Sequence, residues 1–214
     1  MQKQSLILIG GGGHCRSCID VIEQENKFLI EGILDNSINE GELINGYPVV
    51  GDDSLIETLA TPQKHFLITV GQIKTAQIRV KIYEKLLQLG ANIATIVSPR
   101  AYVSSCATIG AGSIIMHGAC INTGVSVGVN TIINTNALIE HDSSIGNHCH
   151  LSTGSMVNGT CQINNHVFIG SGAVIANNIQ IVSNTVVGAG TVVIKNITDV
   201  GTYVGNPHKK IGDA

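Results

Sequence analysis

The chain has 214 residues, 43% of them hydrophobic and 13% charged, and a net charge of −3. That apolar content excludes a disordered chain, and the slight negative charge with no long basic run excludes nucleic acid and anionic membrane surfaces as partners. Aromatic residues make up 3% and tryptophan is missing, so the core must be built from Ile, Val, Leu and Ala, which points to a narrow, regular interior.

The first residues run straight into SLILIG (5–10), which is shorter than the apolar region of a signal peptide. No stretch approaches the length of a membrane span, so a cytoplasmic protein without membrane insertion is expected. SLILIG itself predicts a strand. Gly10, Gly11, Gly12, Gly13 and His14 follow, and CRSCIDVIEQE then carries Cys18, Ile19 and Ile22 at helical spacing. FLIEGILDN (28–36) predicts a second strand ending in Asp35 and Asn36. HFLITVG (65–71) predicts a third strand, ending at Gly71, with an amphipathic helix behind it over residues 75–89. Strand, glycine turn, helix and strand make a Rossmann-like βαβ unit with a parallel sheet.

Glycines between a strand and a helix let backbone N–H groups approach a phosphate at the helix N-terminus. A plain tight turn would use the same residues. The position after the first strand, and a carboxylate at Asp35 about twenty residues on, favour a nucleotide. This half of the chain is too short for a second mononucleotide-binding half, so a nucleotide-linked small substrate fits better than a dinucleotide. The six cysteines read as free thiols, because Cys15 and Cys18 form a CxxC with no second pair.

From Val97 an aliphatic residue recurs at every sixth position through Ile109, Ile121, Ile133, Ile145 and Val157 to Val193. Four residues after each stands a mostly small or branched residue, such as Ala101, Ser113, Ala137, Cys149 or Ala173. The corner between them is rich in residues that tolerate positive φ, including Gly112, Asn130, Asp142, His148, His166 and Gly190. A turn every six residues, three short strands to a coil, predicts a triangular prism of hexapeptide repeats, a parallel β-helix whose like phases stack one coil apart. Its spacing does not fix the hand of the coil. The expected division is residues 1–94 for the nucleotide-binding βαβ domain and 95–214 for the prism with a C-terminal tail.

The register also sorts the histidines. His148 and His166 fall at corners one coil apart and should stack at about 4.8 Å, with solvated turns as the simplest reading. His117 and His141 take the outward third position, and His150 points outward on a strand. Beside a second subunit His141 would have restricted water, with Glu140 or Asp142 to orient it.

The hexad array, the GGGGH turn, Asp35-Asn36 and the segment INTNALIEHDSSIGNHCHLSTG together resemble the bacterial nucleotide-sugar acyltransferases of the NeuD/PglD type. The resemblance covers nearly the whole chain and implies a left-handed prism, a homotrimer, and acetyl transfer from acetyl-CoA to the amine of a nucleotide-linked, UDP-type 4-amino sugar in surface glycan or glycoprotein sugar synthesis. It implies that His141 is the general base, that Asp142 orients it in place of a more usual Glu, and that Asn134 is a polar residue of the substrate site. His150 then hydrogen-bonds the thioester region, and Gly159, Ser171, Gly172, Ala189 and Gly190 border the pantetheine arm. Gly12, Gly13, His14, Asp35, Asn36 and Gly71 lie where the nucleotide would bind. No metal is expected.

Three other readings compete. An O-acetyltransferase acting on sialic acid or a related sugar hydroxyl would use the same parts. A zinc enzyme similar to the γ-class carbonic anhydrases would draw on His117, His141 and His150, whose spacing is too wide for that class. A nucleotide-binding scaffold without catalysis is the third.

Overall fold

The computed structural model describes residues 3–213. Strand β1 (Gln4–Ile9), helix α1 (Gly13–Glu25) and strand β2 (Phe28–Leu34) open the chain. The short strands β3 (Leu43–Ile44) and β4 (Tyr47–Gly51) follow, then helix α2 (Ile56–Leu59), strand β5 (Lys64–Ile68), helix α3 (Gln77–Gln88) and strand β6 (Asn92–Ile93). The strands form one six-stranded sheet in the order β3-β4-β2-β1-β5-β6, parallel except between β3 and β4. The β3–β4 hairpin adds to the expected βαβ unit; its strands are too short to carry a readable alternation.

Beyond β6 the chain coils from Ile96 to Val193 through two-residue strands, each paired in parallel with its counterpart one coil on, as Ile114 is with Ile132 and Cys120 with Leu138. This is the left-handed parallel β-helix. Its corners take positive φ where the hexads require it, at Gly112, Asn130, Asp142, His148 and His166 among others. The inward aliphatics fill the lumen: Ile121, Ile139, Leu151 and Val157 are each 0% exposed. Burying side chains of this size stabilises the fold by about 1.5–3 kcal/mol each. A C-terminal hairpin, Thr202–Val204 with Lys209–Gly212, extends one sheet of the prism.

The outward strand positions differ from face to face. On the first face they read Ile96, Ile114, Ile132, His150, Phe168 and Val186. The first three of these are fully buried, because Cys15, Cys18, Ile19 and Ile22 of α1 pack against this end of the prism. On the second face they read Tyr102, Cys120, Leu138, Met156, Val174 and Val192, all partly or well exposed. On the third they are Thr108, Ser126, Ser144, Gln162 and Gln180. One face is thus covered by the chain's own α/β part, one is apolar, and one is polar.

Candidate functional site

The sheet order reverses between β1 and β5, the point where ligands of open α/β sheets bind beyond the strand ends. Here β1 runs into Gly10, whose φ of +103 and contact with Val70 leave no room for a side chain. Thr69 Oγ1 donates to the Gly10 carbonyl at 2.6 Å and ties the two strand ends together. Helix α1 then begins behind Gly12, an N-cap without a side-chain acceptor, and has no acidic residue in its first turn. Its N-terminal N–H groups and dipole are free to meet an anion.

A cleft of about 700 Å³ opens there, lined by Gly13, His14, Gly71, Gln72, Asn134 and His150 among others. It therefore joins the glycine turn to the prism. Burial, with help from Arg79 and His150, lowers the His14 pKa to about 3, so this ring is neutral. Its Nε2 is buried with no hydrogen-bond partner among the described residues.

Four groups cross the cleft in one line. His150 Nδ1 lies 2.6 Å from the Gln72 carbonyl oxygen. Its Nε2 lies 3.1 Å from Asn134 Nδ2, and Asn134 Oδ1 accepts from the Thr135 N–H at 2.8 Å. Burial lowers the His150 pKa to about 4. Gln72 is anchored in turn, donating from Nε2 to the His148 carbonyl at 3.0 Å. Behind this loop Arg79, 1% exposed, donates to the carbonyls of Ile68 and Val70 and to Asn130 Oδ1, so a buried guanidinium pins the end of β5 to a prism corner.

A second cavity, of about 590 Å³, continues along the first face past Ile73 and Lys74, which line both. Phe168, Ser171, Val186 and Ala189 are among its walls. Gly172 and Gly190 turn the adjacent corner at φ 65 and 66.

His141 is elsewhere, at the corner between the second and third faces. Its Nδ1 lies 2.9 Å from Asp142 Oδ2, and the two side chains are 53% and 66% exposed. A carboxylate only accepts, so Nδ1 carries the proton, and the neutral ring in that tautomer has its lone pair on Nε2. Gly159, one coil on, lies against that Nε2.

The residues expected to act together are thus grouped differently in the fold. Gly13, His14, Gly71, Asn134 and His150 meet in the first cleft, with Gly12 beside them at the N-cap. Asp35 stands behind the glycine turn: its Oδ2 accepts from the Gly11 N–H at 2.6 Å, and its Oδ1 accepts from Ser37 and Ile38. Burial opposes that charge, yet these bonds outweigh it and hold the carboxyl below its usual range. Asn36 turns away to exchange hydrogen bonds with Asp53 and lines a separate cavity of about 520 Å³. Ser171 and Ala189 share the second cavity, whereas Gly159 sits apart at the His141 corner.

The other histidines are engaged locally. His117 bonds Ser98 Oγ at 2.6 Å and Asp20 Oδ2 at 2.8 Å, clasping α1 to the prism. His148 and His166 stack with ring centroids 5.2 Å apart, but His148 also accepts from Asn130 and meets the Tyr83 edge, so it is a packed corner rather than a solvated turn. His117, His141 and His150 each have separate partners, and among the described residues no three His, Cys, Asp or Glu side chains form a metal-binding group. All six cysteines are free thiols. Burial pushes the Cys15 thiol up to about 11 and Cys18 higher still, which makes both inert. Among the described residues no helix is long and apolar enough to cross a membrane. Gln72 and Lys74 were not legible in the sequence; their signal was a polar pair just beyond the stretch 65–71, of which β5 takes only the part up to Ile68.

Residues 5–86 match the family model described as the PglD N-terminal domain. The acetyltransferase domain of PglB from Neisseria gonorrhoeae, also solved with acetyl coenzyme A, is 30% identical over 98% of this chain and 100% of its own, with a TM-score of 0.91. PerB from Caulobacter crescentus, in complex with CoA and GDP-perosamine, is 30% identical over 97% of each chain, with a TM-score of 0.90. WeeI from Acinetobacter baumannii, 24% identical over 96% of this chain and 99% of its own with a TM-score of 0.87, shares the fold. No curated protein matches the sequence.

Proposed function

This chain belongs to the NeuD/PglD-type sugar acetyltransferases, and from that premise we propose that it moves the acetyl group of acetyl-CoA to the amine of a nucleotide-linked 4-amino sugar. The observation that carries this reading is the pair of clefts joined at Ile73 and Lys74, one opening on the glycine turn and the other running along the prism. The first suits a sugar nucleotide, its phosphates at the N-terminus of α1. The second is mostly apolar in its walls and suits a pantetheine arm. PerB, crystallised with CoA and GDP-perosamine, pairs the same two ligand classes.

His141 is the proposed general base. An ammonium cannot attack, so the acceptor must first lose a proton, and the Nε2 lone pair left by the bond to Asp142 can take it. The amine nitrogen then bonds the acetyl carbon and the carbonyl π pair moves onto oxygen. When the C=O bond re-forms, the C–S bond breaks and CoA leaves as a thiolate, which gains the proton from the imidazolium, while the second proton of the attacking nitrogen passes to water and leaves the neutral amide. No acyl-enzyme is required.

On its own the chain leaves His141 more than half exposed and far from the clefts' faces. A second copy against the apolar ladder of Tyr102, Leu138 and Met156 would enclose it, with the His141 of one protomer facing the Asn134 cleft of the next. A homotrimer with three shared sites is the arrangement we favour.

The test is release of free CoA thiol by the purified protein given acetyl-CoA and UDP-, GDP-, CMP- or dTDP-linked amino sugars. Release that depends on an amino sugar is expected. Release only with hydroxyl sugars would turn the reading to O-acetylation, and none with any acceptor would remove it.

A further inference from the structure

Resting on that reading, we infer that His150 is a positioning residue for Asn134, and that the remaining side-chain N–H of Asn134 donates to the acetyl carbonyl oxygen during transfer. Polarity fixes the arrangement. At one end of the line of groups stands the carbonyl of Gln72, which only accepts, so His150 Nδ1 must carry the proton. At the other end stands the N–H of Thr135, which only donates, so the Asn134 oxygen must face it and the Asn134 nitrogen must face His150. Two backbone groups of fixed polarity thus leave one neutral arrangement of the side chains between them.

Its consequences are specific. His150 Nε2 is an acceptor and has no proton to give a thioester. A protonated ring would set two donors against each other at Asn134, so the fold keeps this histidine neutral. Asn134 Nδ2 spends one hydrogen on His150 and retains the other, on a residue that lines the cleft. As the amine nitrogen bonds the acetyl carbon, negative charge develops on the carbonyl oxygen. A fixed, uncharged N–H held in place beforehand is the kind of donor that stabilises it.

Gln72 completes the device. Its backbone oxygen sets the tautomer, and its side chain is tied to the His148 carbonyl, so the loop carrying Gly71 and Lys74 cannot shift without releasing His150. Among the described residues its Oε1 is buried without a partner, so the hydrogen bond to His148 fixes this side chain.

Two measurements test this on the full-length chain. Nitrogen-15 NMR of histidine-labelled protein, with His150→Gln for assignment, should find Nδ1 protonated and Nε2 bare from about pH 6 to about pH 8. An Nε2–H tautomer or an imidazolium in that range would overturn the inference. In kinetics, His150→Leu and Asn134→Ala should each lower kcat about 10²-fold, with the double variant no worse than either single one. His150→Gln, whose Oε1 can replace Nε2 as acceptor, should recover most of the loss. Additive losses, or losses confined to KM, would overturn it too. The NMR readout needs no turnover, so it separates a wrong tautomer from a wrong reaction.

Discussion

Gly159 leaves the space that the His141 imidazole fills: a Cβ at residue 159 would stand 2.7 Å from Nε2 and 2.8 Å from Cε1. The ring is therefore set by two neighbours, Asp142 through Nδ1 and the bare corner at Gly159 beneath Nε2. Gly159→Ala should push the imidazole aside and lower kcat about tenfold or more, with a much smaller change in KM for acetyl-CoA. Steady-state kinetics checks this, and a kcat within twofold of wild type would mean that the corner does not position the base.

The glycines of the first turn have separate duties. A Cβ at Gly13 meets nothing within 4 Å, whereas one at Gly11 would come within 2.6 Å of Ile44 Cδ1. Gly13→Val should keep the fold and weaken binding of a sugar nucleotide about tenfold or more, because its side chain enters the cleft. Gly11→Val should lower the melting temperature instead. Calorimetric titration and thermal unfolding of both variants separate the two effects, and unchanged binding by Gly13→Val would move the nucleotide to another part of the molecule.

Acid should destabilise the fold through its neutral histidines. Burial lowers the His150 pKa from 6.5 to about 4, so between these values the unfolded chain holds more protons than the folded one. The stabilisation is complete above pH 6.5 and is lost as pH falls toward 4, at up to about 1.4 kcal/mol per pH unit from His150. His14, lowered to about 3, and His148, lowered to about 4, mainly by burial, act in the same direction. Urea midpoints should therefore drop between about pH 7.5 and about pH 5, and a constant or rising midpoint would contradict this.

The hexad spacing carried the prism because its period is a property of the backbone: an aliphatic at each sixth position must point inward, as Ile145 does at 3% exposure. What each outward residue meets is set by another part of the chain. His150 and Met156 occupy the same outward phase on neighbouring strands, yet the first is 7% exposed and the second 38%. The docking of α1 and of the loop carrying Gln72 on the first face separates them, and no local pattern encodes it. Asp35 is similar: its place after β2 was legible, but the donors it meets, Gly11 at Oδ2 and Ser37 and Ile38 at Oδ1, come from turns whose geometry no local pattern encodes. His117 read as an outward histidine until Asp20, from the other half of the chain, closed on it.

Association should depend on the apolar second face alone. Leu138→Lys places a charge in the middle of the ladder between Cys120 and Met156 and should leave a monomer. Gln162→Lys on the polar third face should leave the assembly intact. Light scattering on both reads the mass, and an unchanged mass for Leu138→Lys would place the interface elsewhere.

The shared site is tested most directly by mixing two inactive variants. His141→Ala and Asn134→Ala, refolded together in equal amounts, put an intact His141 beside an intact Asn134 cleft at about one interface in four, whichever way the ring closes. The acetylation rate should return to about a quarter of wild type, although each variant alone is nearly inactive. Failure to regain activity in mixed assemblies of confirmed composition would mean that His141 and Asn134 do not serve one site across two chains.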